Sequence, residues 1–502
     1  MQAFPILSCI LLCPVAGAII IMFLPRHQDS RIKTVAAAAT LLSLILSILV
    51  ALGYDLALGG LQFRETIPWV KDLGISYALG VDGISVPLLL LTNLIGFSSV
   101  YASWQVEARS KEFFSLLLLL ITGVMGTFLA TDLFIFFLCY ELVVIPIYLL
   151  IIMFGSSKRV SKEYAGMKLT IYLLIGSAFL LAGFIALFVE AQAQLGYPSM
   201  DLATLAGIDF PVDFQVFIYA LMAFGFGTLL SMFPFHAWSP DGYAGAPTAV
   251  SMIHAGVLKK IGGYGLIRIG LFILPVGARY IAPLLAVLAI ANVVYAGMIC
   301  LSQKDLKYIV GYSSVSHMGY VLLGIASLNL ISLNGAVMMM FAHGVMAALF
   351  FAMIGNLYHK SHTRNVGDFG GLAHQMPRLA TGFMLAGLAS LGLPGTVNFI
   401  GEFTIFVGAF RSYQILAMVA ISGIVITAVY ILRTMGHVLF GPRREEWEHL
   451  HDLRGVEMIP LLVLGGTIIF CGILPFTVMD LINRSIGQLL AQIGQLAGGG
   501  IF

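Results

Sequence analysis

The sequence predicts an all-α polytopic membrane protein with about 14 transmembrane helices. Three observations carry this reading. Of 502 residues, 60% are hydrophobic and only 10% charged, whereas a soluble globular protein carries about 25% charge. Apolar runs of membrane length follow one another along the whole chain. Basic residues concentrate in alternate loops between those runs. Soluble classes are excluded, and scattered basic residues in short loops form no nucleic-acid-binding patch.

The runs lie near 4–24, 34–53, 84–104, 113–131, 133–154, 168–189, 214–235, 247–271, 280–300, 308–327, 334–357, 379–410, 415–440 and 458–481. The first has no basic residue ahead of it, and Arg26 follows it. It therefore reads as an uncleaved span and not as a signal peptide. Five cysteines, Cys9, Cys13, Cys139, Cys300 and Cys471, all fall within apolar runs. They read as small buried hydrophobes, since iron–sulfur ligation needs a denser cluster.

Loops 25–33, 105–112, 155–168, 236–246, 301–307, 358–378 and 441–457 hold 17 of the 26 lysines and arginines. The opposite loops hold 5, and segment 190–213 there has four acids and no base. The basic side is expected to be cytoplasmic. An even number of spans then places both termini on the outer, periplasmic side.

Two runs contain helix breakers. The seventh ends in SMFPFHAWSP around Pro234, and the twelfth holds Gly392, Pro394 and Gly395. They occupy matching places in two five-span blocks, spans 4–8 and 9–13. Interrupted helices at matching positions point to inverted repeats with a site at mid-membrane. The expected units are 1–112, 113–271, 272–440 and 441–502, with helices 7 and 12 broken.

The stretch 233–270, FPFHAWSPDGYAGAPTAVSMIHAGVLKKIGGYGLIRIG, carries Lys259 and Lys260. Lys260 lies 13 residues beyond Pro247, about 20 Å into the helix. A central lysine costs about 2.5–3.5 kcal/mol on insertion scales, so two of them demand a reason. Snorkelling to an interface is a poor explanation at Lys260's depth; Lys259, turned about 100° away, leaves it open. Glu141 sits about eight residues into the fifth run, either as a neutral structural acid or as a titrating partner of a lysine. Glu402 follows the twelfth-run break. His236, His254, His317 and His343 lie in or at spans, each readable as a core histidine or as part of a relay. No spacing places two of them on one helix face as metal ligands. Arg268, Arg433, Lys304, Asp305 and Lys307 sit at span ends, where anchoring is the default. No phosphate loop, flavin fingerprint, hydrolytic triad or haem motif is present, so the chain is expected to move protons without a redox centre of its own.

PFHAWSPDGYAGAPTAV followed by HAGVLKKIGGYGLIRIG resembles the proton-translocating signature of the antiporter-like subunits of respiratory complex I, NADH:quinone oxidoreductase. SQKDLKYIVGYSSVSHMGYV, FAHGVMAALFF and LGLPGTVNFIGEF are similar to the subunit M branch, the counterpart of mitochondrial chain 4. The resemblance covers essentially the whole chain. It implies a proton-translocating membrane-arm subunit of a bacterial-type plasma membrane. Glu141 would be the fifth-span glutamate, Lys260 the central lysine, His317 and His343 the central-axis histidines, and Glu402 the exit-side acid. It implies no cofactor or metal bound by this chain. NADH or another donor, FMN, iron–sulfur clusters and quinone belong to partner subunits, beside other membrane-arm subunits and the bilayer. Mrp-type cation/proton antiporters share the fold and give the alternative function. A third reading is a structural subunit that has lost pumping.

One departure supports that third reading. Aligned on Pro234 and His236, the family's seventh-span lysine falls at Leu229, and no lysine or arginine lies between Ile218 and Pro240. Lys259 stands where the family usually has leucine. The expectation is that Lys259 substitutes for the absent lysine and points toward Glu141.

Overall fold

The computed structural model describes residues 4–496. The two chain ends, whose outer placement the charge count predicts, fall outside them. Apolar runs of membrane length become helices because a spanning segment has to satisfy its backbone internally. Among the described residues, twelve helices are long and apolar enough to cross a membrane. The remaining two predicted spans, the eighth and twelfth, are segmented. The eleventh, Leu330–Ser361, is the axis of the bundle: its most apolar stretch is buried throughout, and the tenth, Leu306–Ala326, is nearly as enclosed. The first, second, sixth and thirteenth spans leave broad apolar faces outward.

Loops group as alternate crossing requires. On the basic side, Arg159 reaches Gln303 (2.8 Å), Arg364 pairs with Asp305 (3.2 Å) and Lys360 with Glu457 (2.8 Å). On the other side, the Ser76 N–H donates to Asp132 (3.0 Å), Leu202 N–H to Thr131 O (3.0 Å) and Arg484 to Ala57 O (2.8 Å).

Both predicted breaks are present. The seventh span, Val212–Leu230, ends at Ser231, whose φ is +67°, and resumes as a short helix, Trp238–Gly245. Asn292 of the ninth span satisfies the freed backbone: its Oδ1 accepts from Phe233 N–H (2.5 Å) and its Nδ2 donates to Ser231 O (2.9 Å). The twelfth is split into Pro377–Ser390 and Val397–Ser412, with Gly392 and Gly395 at positive φ between them.

Two elements went unpredicted. Residues between the second and third spans form an antiparallel hairpin, Gln62–Val70 with Ile75–Val81, turning at Gly74 with φ +62°. The run at 458–481 is not one helix. It stops at Ile473, because Pro475 disfavours helix in the residue before it, and a separate helix covers Phe476–Leu496. That helix lies on the side opposite the basic loops, where Ser485 Oγ accepts from Gly83 N–H (2.7 Å).

Asp132 ties the hairpin to the bundle. One carboxylate oxygen caps the fifth span, accepting from Phe134 and Ile135 N–H (2.9 and 3.2 Å), while the other takes Ser76 N–H. Asp132→Ala is expected to destabilise the folded chain by about 1–2 kcal/mol, read as a lower thermal midpoint of the purified complex. Asp132→Asn, which keeps an acceptor, should lose less; equal losses would contradict the capping role.

Candidate functional site

The eighth span is helical from 248 onward but irregular. Thr248–Ile253 is α-helical, His254–Leu258 is a π-turn, Lys259–Gly265 is α-helical and Leu266–Leu271 is a second π-turn. A π-turn shifts the ladder by one residue and loosens carbonyls from their usual partners. Here the Lys260 ammonium reaches back to Ala255 O. Close packing encloses it: a Cβ on Gly262 would stand 2.4 Å from Phe226 O of the seventh span. Lys259 and Lys260 both have 0% exposure.

From Lys260 a line of polar groups runs across the bundle. Lys260 Nζ lies 2.9 Å from His343 Nδ1 on the eleventh span. The His343 and His317 rings are 5.4 Å apart, centroid to centroid. His317 Nε2 lies 3.7 Å from Glu402 Oε1. The tenth span and both halves of the twelfth therefore converge on one histidine. Its Nδ1 meets Ser313 O at 2.7 Å, and its Nε2 meets Ser390 O at 3.0 Å. Ser390 ends the first half of the broken helix, so the break itself supplies that carbonyl. Two carbonyl acceptors suit two N–H donors. A doubly protonated ring satisfies both, and a neutral ring satisfies one.

Glu402 is buried, and its seat depends on Gly392. A Cβ there would come within 2.2 Å of Glu402 Oε2, and the φ of +64° already favours glycine. Around the line, His343 Nε2, Glu402 Oε1, Ser390 Oγ and both amide atoms of Asn398 have no hydrogen-bond partner among the described residues. Buried polar atoms of this kind ordinarily bind water. The four groups Lys260, His343, His317 and Glu402 thus lie in one sequence of short steps, with hydrogen-bonding capacity along it.

Two sequence expectations fail. Lys259 does not point toward Glu141. Its Nζ lies 3.3 Å from Ser314 Oγ on the tenth span and 5.1 Å from the Tyr243 ring centre. Glu141 is on another face altogether. It is half-buried among Leu138, Leu142 and Ile145, which are 44%, 41% and 65% exposed, and its Oε1 has no hydrogen-bond partner among the described residues. Leu229 is buried, and the place of the family lysine is filled with core.

Two residues read as span-end anchors are also something else. Arg268 is buried and pairs with Asp82 at 3.1 Å. Asp82 meanwhile accepts from Ile84 and Ser85 N–H at the start of the third span (3.0 and 2.9 Å). Lys307 is buried as well, with its ammonium on Ala246 O (2.6 Å), Tyr243 O (3.2 Å) and Ser251 Oγ (3.2 Å). A lysine two residues into a helix gives no sequence sign of folding inward. The acid in VDG, just before a span, was the available sign for the Arg268 partner.

Comparison with known proteins agrees with the resemblance read from the motifs. Residues 130–427 match the family described as NADH:quinone oxidoreductase/Mrp antiporter, transmembrane. The chain is 39% identical to NAD(P)H-quinone oxidoreductase chain 4 1 of Synechococcus sp. (strain JA-3-3Ab), over 94% of its own length and 90% of the relative's. It is 34% identical to NADH-quinone oxidoreductase subunit M of Rhodobacter capsulatus, over 98% of both. Among solved structures it matches a chain of respiratory complex I from Thermus thermophilus with a TM-score of 0.87 at 26% identity, covering 97% of this chain and 99% of that one. A chain of the Mrp complex from Dietzia sp. DQ12-45-1b matches with a TM-score of 0.81 at 21% identity, over 99% and 97% of the two chains, a likeness of fold. With its two broken helices and its buried lysine–histidine–glutamate line, the chain belongs to the NADH:quinone oxidoreductase/Mrp antiporter family of transmembrane proteins.

Proposed function

We propose that this chain is a subunit-M-type component of the membrane arm of an NADH:quinone oxidoreductase and carries protons across the membrane. The observation that carries the reading is the line Lys260–His343–His317–Glu402, buried in the bundle with successive members close together. The Lys260 ammonium donates to His343 Nδ1. The proton passes to His317, whose two ring nitrogens face carbonyls, then to Glu402, which releases it on the far side. Return of Lys260 to the ammonium state resets the line. Electron transfer from NADH or a related donor through FMN and iron–sulfur clusters to quinone belongs to partner subunits, so this chain has no redox step of its own. The bilayer is a bacterial-type plasma membrane, with the basic loops cytoplasmic and both termini outside. The five-span units 113–271 and 272–440 are inverted repeats, which puts the relay at their junction.

Glu141 fits this assembly as a half-buried acid on a part of the fifth span whose neighbours Leu138, Leu142 and Ile145 are exposed, on a face that another membrane subunit covers. The similarity to curated oxidoreductase chains over nearly full length favours this reading over an Mrp-type antiporter. The test is purification of the intact complex through a tag on this chain, followed by reconstitution into vesicles. Flavin and iron–sulfur signals should copurify, and donor-driven quinone reduction should acidify the lumen without sodium. A preparation lacking redox subunits that exchanges sodium for protons would establish the antiporter reading instead.

A further inference from the structure

On the basic side, a cleft of about 700 Å³ enters the bundle between the third, fifth and eleventh spans. Glu107, Ser156, Asn356, His359 and His362 line it, and Lys307 also contributes to its wall. These polar and titratable groups stand on a wall that also carries Val106, Phe113, Met153 and Phe154.

Behind Lys307 the polar groups continue. The Ser251 hydroxyl donates to Tyr243 O (3.0 Å), while the Lys307 ammonium holds both residues from the cleft side. At the far end of the same tyrosine, the hydroxyl lies 3.5 Å from Ser314 Oγ, which lies 3.3 Å from Lys259 Nζ. His254 is stacked on Trp238 at 5.0 Å and tilted against Tyr243 at 4.3 Å. It is wholly buried, and neither of its ring nitrogens has a hydrogen-bond partner among the described residues. Unpartnered polar atoms this deep ordinarily hold water. Lys259 is the residue next to Lys260, where the proposed relay begins.

We infer that this cleft is the chain's proton inlet, and that Lys307, Tyr243 and Ser314 deliver protons to Lys259. The inference rests on the proton-carrier reading above and names the entrance to that same line. It also gives the two departures from the family pattern separate meanings. Leu229 closes the seventh-span position, and Lys259 receives protons from the tenth-span side with no involvement of Glu141. In one passage, a neutral Lys259 amine takes the proton of the Ser314 hydroxyl. Ser314 recovers a proton from Tyr243, and Tyr243 recovers one from the Lys307 ammonium through water held near Ser251 and His254. Lys307 is reprotonated from the cleft, and the Lys259 ammonium gives its proton to a neutral Lys260 amine, which returns Lys259 to the amine. Each O–H or N–H bond broken is matched by one formed, and no electron changes hands.

The experiment uses the intact complex in vesicles and compares Lys259→Leu, Lys307→Met and Ser314→Ala with Lys260→Met. Proton flux through this chain should fall about 100-fold in both inlet-lysine variants, the scale of a lost acid–base group, and less in Ser314→Ala. Because Lys307 also holds three backbone and side-chain acceptors, its variant needs a companion that leaves it in place. Ser156→Cys, labelled from the basic side with a bulky membrane-impermeant maleimide, should reduce flux, and the unlabelled protein should pump normally. Normal pumping by Lys259→Leu together with normal pumping by labelled Ser156→Cys overturns the inlet while Lys260→Met still fails. Normal pumping by Lys260→Met instead overturns the carrier reading itself.

Discussion

Lys260→Met is expected to stop proton flux through this chain, and Lys260→Arg is expected to stop it too. Lys260 combines 0% exposure with contacts to only two polar groups the structure names, Ala255 O and His343 Nδ1. A purely structural role for the charge would be met by arginine, which fills a similar volume and donates hydrogen bonds. A proton carrier has a different requirement: the group must let go of its proton, and a guanidinium does not in proteins. Loss of an acid–base group at a transfer step costs about 100-fold or more. In reconstituted complex, protons moved per donor oxidised should drop in both variants, while the complex assembles and copurifies unchanged. Undiminished pumping with arginine would show that the charge, and not its proton, is what the site needs.

The sequence carried much of this site because the costs are large. A lysine about 20 Å into an apolar helix, an acid after a Pro/Gly break and histidines within spans are all expensive in a bilayer, so their presence signals use. The breaks were equally legible, since proline and paired glycines interrupt a helix through local geometry. What could not be read was direction. The π-turn at His254–Leu258 inserts an extra residue into the turn just ahead of both lysines. It rotates everything after it by roughly 100° relative to a regular helix counted from Pro247. Lys259 was expected on the fifth-span side because the family lysine is missing at Leu229, yet it meets Ser314 and Tyr243. The 62–81 hairpin escaped because neither strand alternates strictly: Gln62–Val70 is largely exposed and Ile75–Val81 largely buried. Lys307 escaped because burial of a span-end lysine depends on carbonyls from a distant short helix, Trp238–Gly245.

Glu402→Gln should reduce flux by a similar factor of about 100, and Gly392→Ala should reduce it although every titratable group remains. The glutamine keeps the size of the side chain and a hydrogen-bonding oxygen toward His317, so packing of the broken helix is retained. It cannot take up and release a proton at the last step of the line. In Gly392→Ala the insult is geometric. The new methyl would lie 2.2 Å from Glu402 Oε2 at a backbone φ of +64°, where an alanine also costs about 1–2 kcal/mol. The carboxylate has to move away from its 3.7 Å approach to His317 Nε2. A displacement of about 1 Å at a transfer step is worth on the order of 100-fold. Vibrational difference spectra of the two variants separate the causes. A carboxyl band lost in Glu402→Gln should persist, shifted, in Gly392→Ala. Full pumping in Glu402→Gln would remove this acid from the path, and full pumping in Gly392→Ala alone would show that the carboxylate works without its close seat beside His317.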